Sequence, residues 1–202
     1  THGHCGTLID NDVDNDLTLK TLASQSLVLA KSGADALAPS DMMDGRVKVI
    51  REILDNNKFE KLPIFPYSVK YNSAFYGPFR EAAKSSPNFG DRKTYQMNFK
   101  NSEEAINEVK LDIDEGADVV IIKPAISYLD IIFRIKQKFN IPIIAYNVSG
   151  EYSMIKTASE KNFINEIEII LEILHSIKRS GANAIISYHA LEIAKYLKTN
   201  EI

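Results

Sequence analysis

Two lysines, Lys70 and Lys123, each end an apolar run that has the pattern of a buried strand. The stretch "ADVVIIKPA" (117–125) leads four Val and Ile residues into Lys123, and "PYSVK" ends in Lys70. An amine removed from water loses its proton readily, and two neighbouring ammonium groups lower each other's pKa. A neutral lysine attacks a ketone or an aldehyde, so the pair predicts a Schiff-base enzyme. The alternative for each lysine is a solvated ammonium at a strand end.

Two arginines bracket an aromatic stretch, "FYGPFREAAKSSPNFGDRKTYQ" (75–96), that follows Lys70. Arg80 and Arg92 offer planar, bidentate recognition of a carboxylate. The surrounding segment 71–101 is longer than an ordinary connector, and we predict that it forms a lid with one short helix at 73–84. The alternative is a pair of surface arginines on a helix that form ion pairs with Glu81 or Asp91.

The N-terminal stretch "THGHCG" contains three possible metal ligands, His2, His4 and Cys5. Three ligands within four residues rarely complete a tetrahedral site, so the stretch alone is a weak metal signal. A loop with a free thiol is the alternative.

These residues need elements that position them, and the sequence predicts alternating strands and helices. Strands are expected near 35–38, 63–69, 118–122, 142–148 and 183–188. Helices are expected near 16–32, 44–57, 102–115, 128–139, 165–180 and 190–198. A glycine follows three of these helices, in "KSGADALAP", "DEGADVVIIKP" and "RSGANAIISY", and each glycine fits a left-handed helix cap.

The alternation of strands and helices predicts a parallel α/β fold, either a (β/α)8 TIM barrel or an open doubly wound sheet. No Gly-rich phosphate loop follows any strand. Polar residues follow all five predicted strands, which favours a barrel mouth where strand ends converge. They are Ser40, Asp41, Lys70, Lys123, Ser149 and Tyr188. A whole barrel takes roughly 250 residues, so we expect residues 1–202 to form one partial TIM-barrel domain with strands 4–8, and the missing strands to precede Thr1.

Composition narrows the function classes. The net charge is −3 and acidic and basic residues are interspersed, so the sequence shows no basic patch of the kind that binds nucleic acid. No apolar stretch approaches the roughly 20 residues of a membrane span. The single cysteine excludes an intrachain disulfide and fits the reducing cytoplasm.

Six ordered blocks resemble one enzyme family, porphobilinogen synthase, also called 5-aminolevulinate dehydratase. They are "SDMMDGRV", "FYGPFREAA", "FGDRKTYQM", "IKPAISYLD", "NVSGEYSMIK" and "IKRSGANAIISY". The resemblance implies a (β/α)8 barrel and a hydro-lyase of tetrapyrrole and heme biosynthesis. Such an enzyme condenses two molecules of 5-aminolevulinate into porphobilinogen, with loss of two waters.

The resemblance also implies roles for individual residues. Lys123 would form the Schiff base with the substrate that becomes the propionate side, and Lys70 would hold the second substrate in the same way. Arg80 and Arg92 would clamp one carboxylate, and Ser149 and Tyr188 would bind the other. We expect the two lysines to lie side by side at the barrel mouth.

Metals and assembly enter through the same resemblance. Cys5 matches the third cysteine ligand of zinc-dependent members, whose other two cysteines would precede Thr1, and His4 would lie beside the metal. Glu108 matches a position that binds magnesium in some bacterial members, although a solvated helix residue is the alternative. The family resemblance also implies a homo-oligomer, often an octamer.

Two other functions remain open from the residues. A class I aldolase shares the barrel and a Schiff-base lysine, but it usually has one reactive lysine and a phosphate site. A non-catalytic scaffold would keep only the fold. Five strands cannot close an eight-stranded barrel, so we expect the chain as given to be a fragment, and its activity in isolation is left open.

Overall fold

Helices and short strands alternate along residues 3–200, the part of the chain that the computed structural model describes. The helices are α1 (Asn15–Lys31), α2 (Arg46–Asp55), α3 (Gly77–Ala82), α4 (Glu103–Asp114), α5 (Leu129–Lys138), α6 (Ser149–Glu160), α7 (Glu166–Arg179) and α8 (Ala190–Thr199). The strands are β1 (Leu8–Ile9), β2 (Asp12–Val13), β3 (Val69–Lys70), β4 (Val120–Lys123), β5 (Ile143–Asn147) and β6 (Ala184–Ser187). Short 3₁₀ helices lie at Ala74–Tyr76 and Ile126–Tyr128. Across the described range, no helix is both long and apolar enough to cross a membrane.

The chain divides into two units, and the boundary falls inside β4. The first unit runs up to Asn72 and resumes at Ser85–Ile121, while the second comprises Ser73–Lys84 and the chain from Ile122 onward. The predicted lid segment 71–101 is therefore shared between the units.

The first unit packs α1 and α2 over extended segments that pair only in part. Leu37 and Ile64 form an isolated parallel bridge within a core that also contains Val47, Ile50 and Leu54. The predicted strands over 35–38 and 63–69 were wrong in extent, because the first reduces to its half of this bridge and the second to the bridge residue Ile64 and β3. Proline explains the loss: Pro39, Pro63 and Pro66 have no N–H to donate to a ladder.

The second unit contains the parallel pair of strands β5 and β6. β5 and β6 run parallel in a register that places Asn147 opposite Ser187. Behind them, Ile155 of α6, Ile170 of α7 and Ile193 of α8 form a buried cluster. The parallel α/β class is confirmed, whereas five strands are not confirmed and the TIM barrel stays a prediction.

Most predicted helices are confirmed within two residues, but α6 was missed. Its buried face consists of Ser149, Gly150 and Glu151 with only one large apolar residue, Ile155, so no hydrophobic stripe marks it in the sequence. The β1–β2 hairpin was also missed. The three capping glycines are confirmed: Gly33, Gly116 and Gly181 have φ of 89°, 104° and 121°.

Candidate active site

Lys123 ends β4 among aromatic rings of the second unit. Its Nζ lies 4.6 Å from the ring centre of Tyr146, 4.8 Å from that of Tyr76 and 5.8 Å from that of Phe79. The isoleucines that precede it in β4 are fully buried. The rings hold the amine by cation–π attraction while they limit its access to water. This setting differs from the solvated strand end that was the alternative.

Tyr76 connects Lys123 with Arg80. Its hydroxyl donates to the Lys123 carbonyl oxygen at 3.3 Å, and the Arg80 guanidinium carbon lies 5.5 Å from the centre of its ring. Arg80 stands in α3, which follows Tyr76 directly because Pro78 favours the first helical turn. The second unit therefore places a cationic guanidinium and the Lys123 amine against the same tyrosine ring.

Ser149 begins α6 and fastens the helical segment of 74–82 to it. The Ser149 hydroxyl accepts from the Phe79 N–H at 3.1 Å and donates to the Phe75 carbonyl oxygen at 3.3 Å. The next residue, Gly150, permits this approach, since a Cβ there would lie 2.5 Å from the Phe75 carbonyl oxygen and 2.7 Å from its Cα.

Replacing Gly150 with alanine should therefore destabilise the protein. The clash is with backbone, which cannot escape by a rotamer change, so we expect a loss of about 1–3 kcal/mol, as for other overpacked sites. Thermal unfolding will measure it. Gly77→Ala is the matched control, because a Cβ at Gly77 meets nothing within 4 Å. Equal melting temperatures for the two variants would contradict the close approach.

Tyr188 lies just beyond β6 with nearly half of its side chain exposed, at 46%. The centre of its ring is 6.5 Å from that of Tyr146 and 5.6 Å from that of Tyr152. Tyr146 is also the ring closest to the Lys123 amine. Four predicted site residues, Lys123, Arg80, Ser149 and Tyr188, thus belong to the second unit and are linked there by shared neighbours.

Lys70 is the buried lysine of the first unit, 5% exposed at the end of β3. Its ammonium donates to the Ser40 carbonyl oxygen and lies 6.0 Å from the centre of the Tyr67 ring. Burial is the largest cause that lowers the pKa of Lys70. Cys5 and Asp41 oppose this shift, and the Arg92 and Arg46 charges add to it. Burial therefore shifts the equilibrium of this amine toward its neutral, nucleophilic form. The predicted proximity of Lys70 to Lys123 stays a prediction.

Arg92, also in the first unit, binds backbone rather than the carboxylate of Asp91. Its Nε and Nη2 donate to the Gly3 carbonyl oxygen at 3.2 and 2.6 Å, and Nη2 also donates to the Ser85 carbonyl oxygen. Asp91 forms an ion pair with Lys93 at 2.9 Å. The Asp91–Arg92 ion pair that was the alternative is not formed.

Gln96 is a polar residue of this unit that the sequence analysis did not select. Its side chain is 3% exposed, and within residues 3–200 neither its Oε1 nor its Nε2 has a hydrogen-bond partner. Leaving such a group unpaired costs about 1–3 kcal/mol. It precedes Met97, whose N–H donates to the Lys70 carbonyl oxygen at 3.1 Å. No pattern in the sequence marked Gln96 as a site residue, because its burial without a partner is visible only in the structure.

The "GHCG" loop is held by contacts of His4 and Cys5 with Tyr95 and Phe89. The Tyr95 hydroxyl lies 3.1 Å from His4 Nδ1 and accepts from the Cys5 N–H at 3.2 Å, while His4 Nε2 lies 3.0 Å from the Phe89 carbonyl oxygen. Cys5 is a free thiol. Across residues 3–200, no three His, Cys, Asp or Glu side chains cluster as metal ligands, and His2 lies outside the described residues. These residues alone therefore do not complete a zinc site.

Glu108, in the middle of α4, lines an acidic cavity of about 430 Å³ in the first unit. The other carboxylates of the lining are Asp12, Asp44 and Glu104. Burial, followed by the charge of Asp112, raises the pKa of Glu108 to about 7. The position is thus a partly desolvated carboxyl group among acids rather than a freely solvated helix residue.

The raised pKa of Glu108 predicts a pH-dependent stability. The folded protein holds this proton up to about pH 7 and the unfolded chain only up to about 4.5, so the stability contribution present at low pH is lost as the pH rises through 7. With a chelator present, we expect Glu108→Gln to melt above the wild type at pH 8 and to lose that advantage at pH 5. Glu103→Gln, exposed at the start of the same helix, should show no such crossover. A constant difference at both pH values would contradict the assignment.

Comparison with known proteins matches this chain to a protein family. The family model described as "Delta-aminolevulinic acid dehydratase" matches residues 1–196. A Bacillus subtilis protein of that name is 56% identical over 196 residues, and one from Archaeoglobus fulgidus is 54% identical over 198 residues. They align with 97% and 98% of this chain but only 60% and 61% of their own length, so the chain spans about 60% of such relatives. A Toxoplasma gondii enzyme, solved in complex with the reaction product porphobilinogen, matches with a TM-score of 0.95 and 47% sequence identity. The match covers 97% of this chain and 56% of the Toxoplasma gondii chain.

Proposed function

This chain belongs to the delta-aminolevulinic acid dehydratase family, and we propose that its protein condenses two molecules of 5-aminolevulinate into porphobilinogen. The observation that carries the proposal is the family match over residues 1–196. The chemistry it requires is supported by two lysines in unusual surroundings, one buried and one ringed by aromatic side chains. The reaction makes the protein a hydro-lyase of tetrapyrrole and heme biosynthesis.

We propose that Lys123 captures the keto group of the substrate that becomes the propionate side. The amine adds to the keto carbon, water leaves, and the resulting iminium makes the adjacent carbon acidic. The rings of Tyr146 and Tyr76, close to the amine, would exclude water from this intermediate. Lys70 would hold the second substrate in the same way, and burial already favours its neutral form. Holding both substrates replaces a bimolecular encounter with an effectively unimolecular reaction.

The carboxylates of the substrates need separate partners. We propose that Arg80 and Arg92 bind one of them, which requires Arg92 to exchange its backbone partners, the carbonyl oxygens of Gly3 and Ser85, for the ligand. Gln96 joins this group in the proposal, because its buried amide lacks a partner within the described chain. Ser149 and Tyr188 would bind the other carboxylate, and segment 71–101 would act as the lid over the substrates.

Two metals belong to the proposal. Cys5 would be one thiolate ligand of a zinc ion, with the remaining ligands supplied from outside the described residues, and His4 would lie beside it. Bound zinc polarises a substrate carbonyl or a water molecule. Glu108 would hold magnesium through the acidic cavity of α4, and added Mg²⁺ should then remove the stability difference between the wild type and Glu108→Gln at pH 8.

We propose further that the protein works in the cytoplasm as a homo-oligomer, as the octamers of the family imply. Light scattering of the full-length protein tests this assembly directly.

Turnover tests the function. The full-length protein should form porphobilinogen from 5-aminolevulinate, and borohydride should trap substrate on Lys123, as located by peptide mass spectrometry. Turnover of sugar phosphates without porphobilinogen would instead support a class I aldolase. Failure to form any covalent adduct would support a non-catalytic scaffold.

A further inference from the structure

One buried carboxylate, Glu151, connects two loops of the second unit. Its Oε1 accepts from the N–H groups of Ala125 and Ile126 at 3.3 and 2.6 Å, in the loop that follows Lys123. Its Oε2 accepts from the Val148 N–H at 2.6 Å, one residue before Ser149. The side chain is fully buried, and neither oxygen lacks a donor. Glu151 therefore does more than cap α6, because half of its carboxylate serves a different loop.

The connection continues through Asn147 to the end of β6. Asn147 Nδ2 donates to Glu151 Oε2 at 3.2 Å, and its Oδ1 accepts from the Ser187 hydroxyl at 2.9 Å. The Ser187 oxygen in turn accepts from the His189 N–H at 3.1 Å, so it closes the turn that carries Tyr188. Asn147 is fully buried, and the β5–β6 register sets it opposite Ser187.

The donors and acceptors of these groups fix which partner donates in each hydrogen bond of this network. A carboxylate only accepts hydrogen bonds, so Asn147 has to turn its NH₂ toward Glu151 and its carbonyl toward Ser187. The Ser187 hydroxyl then donates to Asn147 and keeps a lone pair for the His189 N–H. An amide in place of the carboxylate would set an NH₂ against the donors of one loop, because each Glu151 oxygen faces at least two donors.

We infer that Glu151, acting through Asn147 and Ser187, is a positioning residue that sets the backbone of Lys123, Ser149 and Tyr188 for their substrates. The inference rests on the proposed function for what these three residues bind. The positioning itself is a property of the hydrogen bonds. The hydrogen-bond network has two parts. Glu151 acts on the loops of Lys123 and Ser149, whereas Ser187 acts on Tyr188 alone.

Hydrogen exchange of the full-length protein tests the positioning without any substrate. Glu151→Gln should speed exchange at the amides of Ala125 and Ile126 or at that of Val148 by at least about tenfold. Ser187→Ala should speed exchange at the His189 amide only. Glu160→Gln, exposed at the far end of α6, is the control and should leave all of these amides unchanged. Unchanged exchange in Glu151→Gln would overturn the inference whatever the protein catalyses.

Kinetics then separates positioning from a merely structural role. A misplacement of about 1 Å costs about 10²-fold in rate, so Glu151→Gln should slow borohydride-trappable adduct formation at Lys123 and lower kcat by about that factor per folded molecule. Ser187→Ala should raise KM about fivefold to tenfold, as for one lost hydrogen bond, and leave adduct formation unchanged. A Glu151→Gln protein with a lower melting temperature but wild-type kinetics would overturn the inference, as would equal slowing of the adduct by Ser187→Ala.

The two proposals fail in different ways. If wild-type protein forms no adduct with 5-aminolevulinate, the proposed function fails, while the exchange pattern still decides whether Glu151 positions the loops. Should Glu151→Gln not fold, Asn147→Ala takes its place, because it leaves the carboxylate and removes only the connection to β6. It should then reproduce the Ser187→Ala pattern of exchange and KM, and a wild-type pattern would count against the network.

Discussion

Replacing Lys123 with alanine will lower the rate of porphobilinogen formation by about 10⁴-fold or more and will remove the borohydride-trapped adduct at position 123. The magnitude follows from losing a covalent nucleophile whole, a change that reaches 10⁶-fold in enzymes whose catalytic groups act as a unit. The fold should survive, because the amine stands at the end of a strand against the ring faces of Tyr76 and Tyr146.

A matched control shows whether the effect comes from losing the Lys123 amine or would follow from removing any lysine that lies beside an aromatic ring. Lys138 ends α5 in the same unit, and its Nζ lies 5.9 Å from the centre of the Phe139 ring. Its side chain is exposed, so Lys138→Ala should retain wild-type turnover. Porphobilinogen formation by Lys123→Ala within tenfold of the wild type would remove Lys123 from the mechanism.

Replacing Lys70 with methionine will lower kcat by about 10³-fold, because only one of the two substrates is then held covalently. The adduct at Lys123 should still form, and peptide mass spectrometry of the trapped protein will show that single site. Lys61→Met, an exposed lysine of the same unit, should be neutral. Loss of the Lys123 adduct in Lys70→Met would show instead that the two lysines do not act on separate substrates.

Lys70 should also change how stability depends on pH. Burial lowers its pKa below the ordinary value of 10.5, so between the two values the unfolded chain binds a proton that the folded protein does not. Stability of the wild type therefore falls as the pH falls through the folded pKa, and Lys70→Met lacks this loss. Melting at several pH values should show the wild type gaining on the variant as the pH rises toward 10. A pH-independent difference would mean that the amine keeps its ordinary pKa.

Sequence patterns predicted most helices of this chain because their signals are local. Three of the helices were predicted from apolar spacing at three and four residues, and each of these is followed by a glycine whose left-handed φ is confirmed. The patterns failed where a local signal was weak or misleading. The apolar residues that follow Gly33 and Ala34 suggested a strand at 35–38, but prolines limit pairing there to one bridge. Helix α6 buries polar residues instead of an apolar stripe.

The residues of the candidate site also divide into those that the sequence could identify and those that only the structure reveals. Lys123, Lys70, Arg80, Arg92, Ser149 and Tyr188 could be selected from residue type, strand ends and family resemblance. Gln96 and Glu151 could not, because an amide without a partner and a carboxylate with several become evident only when chain-distant groups meet around them.

The sequence by itself determined which side chains end the apolar runs. A strand that is buried on both faces needs residues such as Val and Ile, and the run ends at the first charged residue. Tertiary structure alone decided the burial, the charged neighbours and the hydrogen bonds of each such residue. The pKa of Lys70 depends on burial and on charges at Asp41, Arg46 and Arg92. The loop after Lys123 depends on a carboxylate 25 to 26 residues further along the chain. Desolvation and hydrogen bonding act through space over a few ångströms, so residues far apart in sequence set them together.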